Sequence, residues 1–171
     1  MSGLILPFRN ELPRVDADAF VAETAALIGA VEVGPRASIW YGCVLRADLA
    51  PIHVGAYANV QDGTIVHVSS RRGGAWIGDY VTIGHMALIH ACRLEDYAFV
   101  GMKACVMDEA VVEGGGWVAA GAVVTPGKRV RAGELWAGMP ARPVRQVTAE
   151  ERHTIETLPL RYAELADEHR R

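Results

Sequence analysis

The chain has 171 residues, a net charge of −3 at pH 7 and charges of both signs interspersed along it. That length suits one domain with a substantial core, or a domain with a short appendage, and the lack of any basic run excludes a nucleic-acid surface. Apolar stretches are too short and Gly-punctuated to cross a bilayer, and MSGLILPFRNELP lacks the charged and apolar regions of a secretory signal, so the cytoplasm is expected.

From Val15 onward an aliphatic residue recurs at every sixth position: Val15, Val21, Leu27, Val33, Ile39, Leu45. The frame shifts across Pro51 and resumes as Val54, Val60, Val66, then shifts across residues 67–76 and resumes as Ile77, Ile83, Ile89. A five-residue step leads to Leu94, Val100, Val106, Val112, Val118, Val124 and Val130. A period of six is neither helical nor a simple strand alternation. It predicts short strands joined by turns, three to a triangular coil, with coils stacked into a parallel β-helix around a column of Val, Ile and Leu. Glycine follows the aliphatic at Gly34, Gly55, Gly78, Gly84 and Gly101, where a corner needs either positive φ or close backbone approach. Cys43, Cys92 and Cys105 stand singly without CxxC spacing, which predicts small buried hydrophobes rather than disulfides or a cysteine metal site. The four tryptophans are scattered and read as packing.

After Val130 the repeat gives way to GELWAGMPARPVRQV, where Gly138 and Pro140 break the coil. Thr148 and Glu151 form a T-x-x-E capping box that opens a helix. Ile155, Leu158, Tyr162 and Leu165 share one helical face, and Pro159 is expected to kink or split the helix. The expected organisation is a β-helix over residues 1–138 and a linker and α-helix over 139–171, packed together as one structural unit.

The segment from Asn59 to His90 carries the chemistry, with His67, His85 and His90 among six histidines in the chain. His67 follows Val66 and His90 follows Ile89. If 67–76 is an insertion within one step, three steps separate them, and they stack on one edge in adjacent coils. His85, two after Ile83, belongs to another edge. Arg46 stands one coil below His67 and Asp62 one coil below His85. The two edges meet only in a three-fold assembly, which would gather three imidazoles and bring Arg46 to a neighbour's Asp62, with Met107 and Met102 above as an apolar lid. Three neutral imidazoles leave one tetrahedral position open, the pattern of a catalytic zinc, although ferrous iron or cobalt also suits an all-histidine set. His53, in the Pro51 bend, and His153 and His169, on the polar helix, read as ordinary surface histidines.

The hexad pattern resembles the hexapeptide-repeat, left-handed β-helix family, and the resemblance implies the handedness. RAD, NVQDG-x-x-x-H and GH-x-x-x-x-H further resemble the γ-class carbonic anhydrases over nearly the whole chain. That resemblance implies a homotrimer with interfacial metal sites, ligands His67 and His90 from one subunit and His85 from the next, and reversible hydration of carbon dioxide to bicarbonate. It implies that Gln61 orients the reactive water with support from Asn59. Arg46, Asp48 and Asp62 would hold the interface and position bicarbonate, and Tyr162 would match a tail tyrosine near the pocket. Two departures stand out. Leu49 follows the RAD aspartate where active members carry glutamate, and the short basic SSRRGG run replaces an acidic loop whose glutamate shuttles protons. Hydration is therefore expected to be slow. A thioesterase or other hydrolase, an acyl-CoA-dependent hexapeptide transferase and a non-catalytic trimeric metal-binding scaffold are the alternatives.

Overall fold

Most hexads form a strand of two or three residues and a tight turn, in a computed structural model that describes residues 3–170. A strand pairs in parallel with the strand one coil away. Ile39 lies beside Val60, Val60 beside Ile83, Ile83 beside Val100 and Val100 beside Val118. The result is a mainly β solenoid of about seven turns with a single C-terminal helix. Leu4–Leu6, outside the hexad frame, also pairs in parallel, with Ala26–Ile28.

The framed aliphatics from Leu27 to Val130 are at most 2% exposed. Full burial of each such side chain stabilises the fold by about 1.5–3 kcal/mol, so the column is the main source of stability. A second buried column lies two residues earlier, with Ala25, Ala37, Cys43, Ala58, Ala87, Ala98, Ala104, Ala110 and Ala122. Here the chain enters a strand from a corner, and small side chains predominate, with Val31, Ile52 and Val81 buried at the same position where it can take more. Cys43 takes an alanine's place, and burial pushes its thiol up to about 12, as it does that of Cys92. Cys105 is half-buried with its thiol also raised by burial. All three thiols are free.

Positive φ falls on the third residue after the aliphatic, whether glycine, as at Gly63 and Gly121, or not, as at Tyr57, Tyr80 and Tyr97. The three tyrosines stack face to face at 5.0 and 4.8 Å, a contact that offsets part of the left-handed strain of about 1–2 kcal/mol each. The glycines directly after the aliphatics serve the other purpose, close approach. A Cβ on Gly55 would stand 2.4 Å from Asp79 Oδ1, and one on Gly84 would stand 2.6 Å from the Met102 nitrogen.

Both frame shifts are accommodated without losing the stack. Strand Val44–Val54 runs on through Pro51, and the 67–76 insertion closes on itself through a Ser69–Gly73 bridge. Ile77 then pairs with Val54 below and Leu94 above. At the other end, Glu134–Gly138 still pairs with Trp117–Val118, so Trp136 takes the last core place before the chain reverses into Ala141–Gln146.

The capping box forms reciprocally between Thr148 and Glu151 and opens helix Ala149–His169. Arg145 grips Glu151 through two bonds of 2.7 and 2.8 Å. The expected split at Pro159 does not occur. Pro159 is buried inside one uninterrupted helix, where packing offsets the missing N–H bond. The buried face is Ile155, Pro159, Ala163 and Ala166, and Leu165, expected on it, is 40% exposed. Small residues rather than leucines let the helix lie close along the face that carries Ser38–Ile39, Asn59–Val60 and Thr82–Ile83. Trp40 meets Tyr162 edge-on at 5.4 Å, and Arg36 binds Asp167 at 2.9 Å, fixing the helix over Asn59. No helix among the described residues is long and apolar enough to cross a membrane.

Candidate metal centre

His67 and His90 end the strands Ile65–His67 and Leu88–His90, and the register sets them side by side in adjacent coils with Arg46 one coil below. His67 Nε2 donates to Asp48 Oδ1 at 3.0 Å, and His90 Nδ1 donates to Asp108 Oδ2 at 3.0 Å. A neutral imidazole has only one N–H. With each ring directing one N–H at a carboxylate, the two remaining nitrogens, His67 Nδ1 and His90 Nε2, face each other 3.2 Å apart, a separation that a shared proton or a bound cation bridges. Nitrogens bound at 2.0–2.1 Å to a tetrahedral ion lie about 3.3–3.4 Å apart, so this pair fits two corners of such a site. A carboxylate behind each ring is also the usual support for a metal-ligating histidine, since it fixes tautomer and orientation.

Asp48 lies between His67 and Arg46, which pairs with it from two residues earlier on the same strand face. Burial works against its ionisation. The hydrogen bonds from His67 and Arg46 outweigh that cost and hold the carboxyl below the usual range. Within the chain Arg46 pairs with Asp48, and Asp62 pairs with His85.

Asp108 is the residue that sequence reasoning missed. Following the column of residues just after the core aliphatic leads to Met107, but the Met107 sulfur turns to the Cys105 thiol at 3.1 Å, and the next residue reaches His90. The overlooked signal was an acidic side chain in the turn directly above a histidine. Replacing Asp108 with Ala is expected to weaken metal affinity about 10- to 100-fold in competition with a chelator. Unchanged affinity would show that the contact is incidental.

His85 occupies the turn after Thr82–Ile83, on another edge of the prism, with its Nδ1 2.9 Å from Asp62 Oδ2. Its Nε2 is thus the nitrogen left for a ligand. Among the described residues no single-chain group of three donors could hold a metal, because the histidines divide two and one between the edges. Gln61 and Asn59 are buried beside the His85 edge. Gln61 Nε2 donates to Asn59 Oδ1 at 3.0 Å, and Asn59 Nδ2 donates to Thr82 Oγ1 at 2.9 Å. This chain leaves the Gln61 carbonyl as its available acceptor.

Gln61, His85, Met102 and Tyr162 border a cavity of about 290 Å³. Burial, and then the nearby Asp62 charge, raise the Tyr162 phenol, so it remains a proton donor. The other notable positions stay apart. Leu49 is half exposed, Arg72 leans on Glu109 at 3.4 Å, and His53 stacks on Trp76 at 4.1 Å. His169 packs against Trp40 at 5.2 Å, and His153 is exposed.

No family model matches the chain. The protein named gamma carbonic anhydrase 1, mitochondrial, from Arabidopsis thaliana is 46% identical over 165 residues, 94% of this chain and 60% of that one. The chain thus spans about three-fifths of the length of that curated relative. A probable carbonic anhydrase from Methanocaldococcus jannaschii is 40% identical over 147 residues, covering 86% of this chain and 92% of that protein. Among solved structures, a hexapeptide transferase family protein from Anaplasma phagocytophilum superposes with a TM-score of 0.93 at 46% identity, covering 98% of both chains. Near-complete coverage of the archaeal relative, together with the solenoid and its histidine pattern, establishes that the chain belongs to the γ-class carbonic anhydrase family, on the left-handed parallel β-helix of the hexapeptide-repeat proteins.

Proposed function

We propose that the protein is a carbonic anhydrase-like enzyme, hydrating carbon dioxide reversibly at a three-histidine metal centre completed between the subunits of a trimer. The observation that carries this reading is the pair of facing ring nitrogens of His67 and His90, 3.2 Å apart, each ring held from behind by a carboxylate. His85 of a neighbouring subunit supplies the third nitrogen. Zinc fits the donor set, as do ferrous iron and cobalt. Such an ion, when bound, lowers the pKa of water to about 7, a magnitude that comes from zinc carbonic anhydrase itself and not from this chain.

The chain's own residues do the rest. Asp48, Asp108 and Asp62 hold the three rings in one tautomer and orientation. Gln61, fixed through Asn59, accepts a hydrogen bond from the reacting water and turns its lone pair toward carbon dioxide. Arg46 and Tyr162 donate to the oxygens of bicarbonate. Arg46 and Asp62 keep 45% and 44% of their side chains exposed, which leaves both able to contact a neighbouring subunit. Ile65, Met86 and Leu88 add a row of exposed apolar side chains between the two histidine edges, a patch suited to burial in an interface. Stopped-flow carbon dioxide hydration tests the proposal: metal-loaded protein should accelerate it, and chelation should abolish the acceleration. A fully metal-loaded trimer that leaves the rate at the buffer background, at every buffer concentration, would overturn it.

A further inference from the structure

Three edges run along the prism, and the three histidines of the proposed centre use two of them. The third follows strands Val44–Val54, Ala75–Ile77 and Arg93–Leu94, and it carries a stack of its own. Arg36, Tyr57, Tyr80 and Tyr97 each stand third after a core aliphatic, at φ between 57° and 62°. The Arg36 guanidinium lies 6.0 Å from the centre of the Tyr57 ring, and the three rings follow at 5.0 and 4.8 Å, nearly parallel. In the next coil the same place, third after Val112, falls to Gly115 at φ 71°. A Cβ there would meet nothing within 4 Å. The stack stops one rung short, and Tyr97, 38% exposed, borders a cavity of about 440 Å³ together with Gly115.

This cavity lies against the first turns of the helix, with the buried Ile155 as its apolar wall. Asp96, Glu156 and Arg152 also border it, two carboxylates against one cation. Asp96 Oδ1 accepts from the Asp79 nitrogen at 2.9 Å, which leaves its other oxygen and the exposed Glu156 carboxylate to accept from a ligand. Partial burial, then Tyr80 and the Asp96 and Glu156 charges, raise the Tyr97 phenol, so its ring stays neutral. The slot selects by shape and by charge. A flat ring is needed to stack on Tyr97, N–H donors are needed to meet the carboxylates, and a negatively charged ring is repelled. About 440 Å³ corresponds to roughly fifteen waters, room for two fused rings, and falls within the range of about 300–1,000 Å³ of small-molecule sites.

We propose that the missing rung is a binding site for an amino-substituted purine, whose ring stacks on Tyr97 where a fourth tyrosine would lie and whose exocyclic amino group donates to Glu156 or Asp96. The metal centre takes no part, so the site is tested on the full-length protein with or without metal.

Equilibrium dialysis against labelled adenosine should show saturable binding with a dissociation constant below about 1 mM. Tyr97→Ala removes the stacking platform and should weaken it about 5- to 150-fold, whereas Tyr97→Phe should leave it unchanged. Gly115→Tyr supplies the missing rung at a backbone angle close to that of the three tyrosines, and should abolish binding. Purine riboside, which lacks the amino group, should bind about tenfold or more weakly. AMP separates two sources of the base. Tighter binding than adenosine, with the gain lost in Arg152→Gln, marks a nucleotide, and equal or weaker binding marks a nucleoside. No saturable binding of adenosine, equal binding of purine riboside, or binding that survives Tyr97→Ala or a folded Gly115→Tyr overturns the proposal. If Gly115→Tyr does not fold, Tyr97→Ala against Tyr97→Phe decides it.

Discussion

Carbon dioxide hydration by the unmodified protein should be slow, and its rate should climb with imidazole buffer concentration at fixed pH and ionic strength. Each turnover releases a proton that must leave the site before the next, and a positioned acid–base group contributes about 10²–10⁴-fold to such steps. The carboxylates around the centre are all engaged, Asp48 with His67, Asp62 with His85 and Asp108 with His90. Giving up those contacts would loosen the ligands themselves. Leu49, half exposed beside Asp48, cannot accept a proton, and neither can the arginines of the insertion. Glu109 is exposed on the turn next to Asp108 but is paired with Arg72. Leu49→Glu should therefore raise the rate by up to about 10²–10⁴-fold and blunt the buffer dependence. A fast rate indifferent to buffer in the unmodified protein would mean that another group, Glu109 first among them, carries the proton out.

A near-complete loss of metal is expected from either His67→Ala or His85→Ala, because a two-histidine remnant holds a divalent ion poorly. The two variants should rescue each other when mixed. If each site takes His67 and His90 from one chain and His85 from the next, around a closed ring, one deficient chain supplies what the other lacks. Random mixing in equal amounts places an intact His67 chain on one side in half of cases and an intact His85 chain on the other in half. About one quarter of the sites should then be complete. Metal content and activity should recover together toward that fraction after unfolding, mixing and refolding. Recovery of neither, with trimers formed, would place all the ligands within one chain or the site elsewhere.

The parts of this account that were legible in the sequence are those governed by the repeat. A constant period turns sequence distance into position, so the core column from Leu27 to Val130 and the stacking of His67 on His90 followed from counting. Even the 67–76 insertion obeyed the count, because its ends close on each other and leave Ile77 in register. What escaped depends on where side chains turn after the backbone is placed. Asp108 reaches down a coil from a turn, where hexad position fixes the Cα but not the side chain. The helix shows the same limit. Its apolar spacing placed Leu165 on the packed face, but Leu165 is exposed, and Pro159, Ala163 and Ala166 are buried where the flat solenoid face admits small residues.

The division of the histidines between two edges makes assembly a requirement of the proposed metal site, and native mass spectrometry of the unmodified protein tests that requirement most directly. After loading with zinc, ferrous iron or cobalt, the predicted species is a trimer carrying three ions, and its dissociation into monomers should release them. A monomer that keeps a full equivalent of metal, or a trimer that binds none of the three, would contradict it.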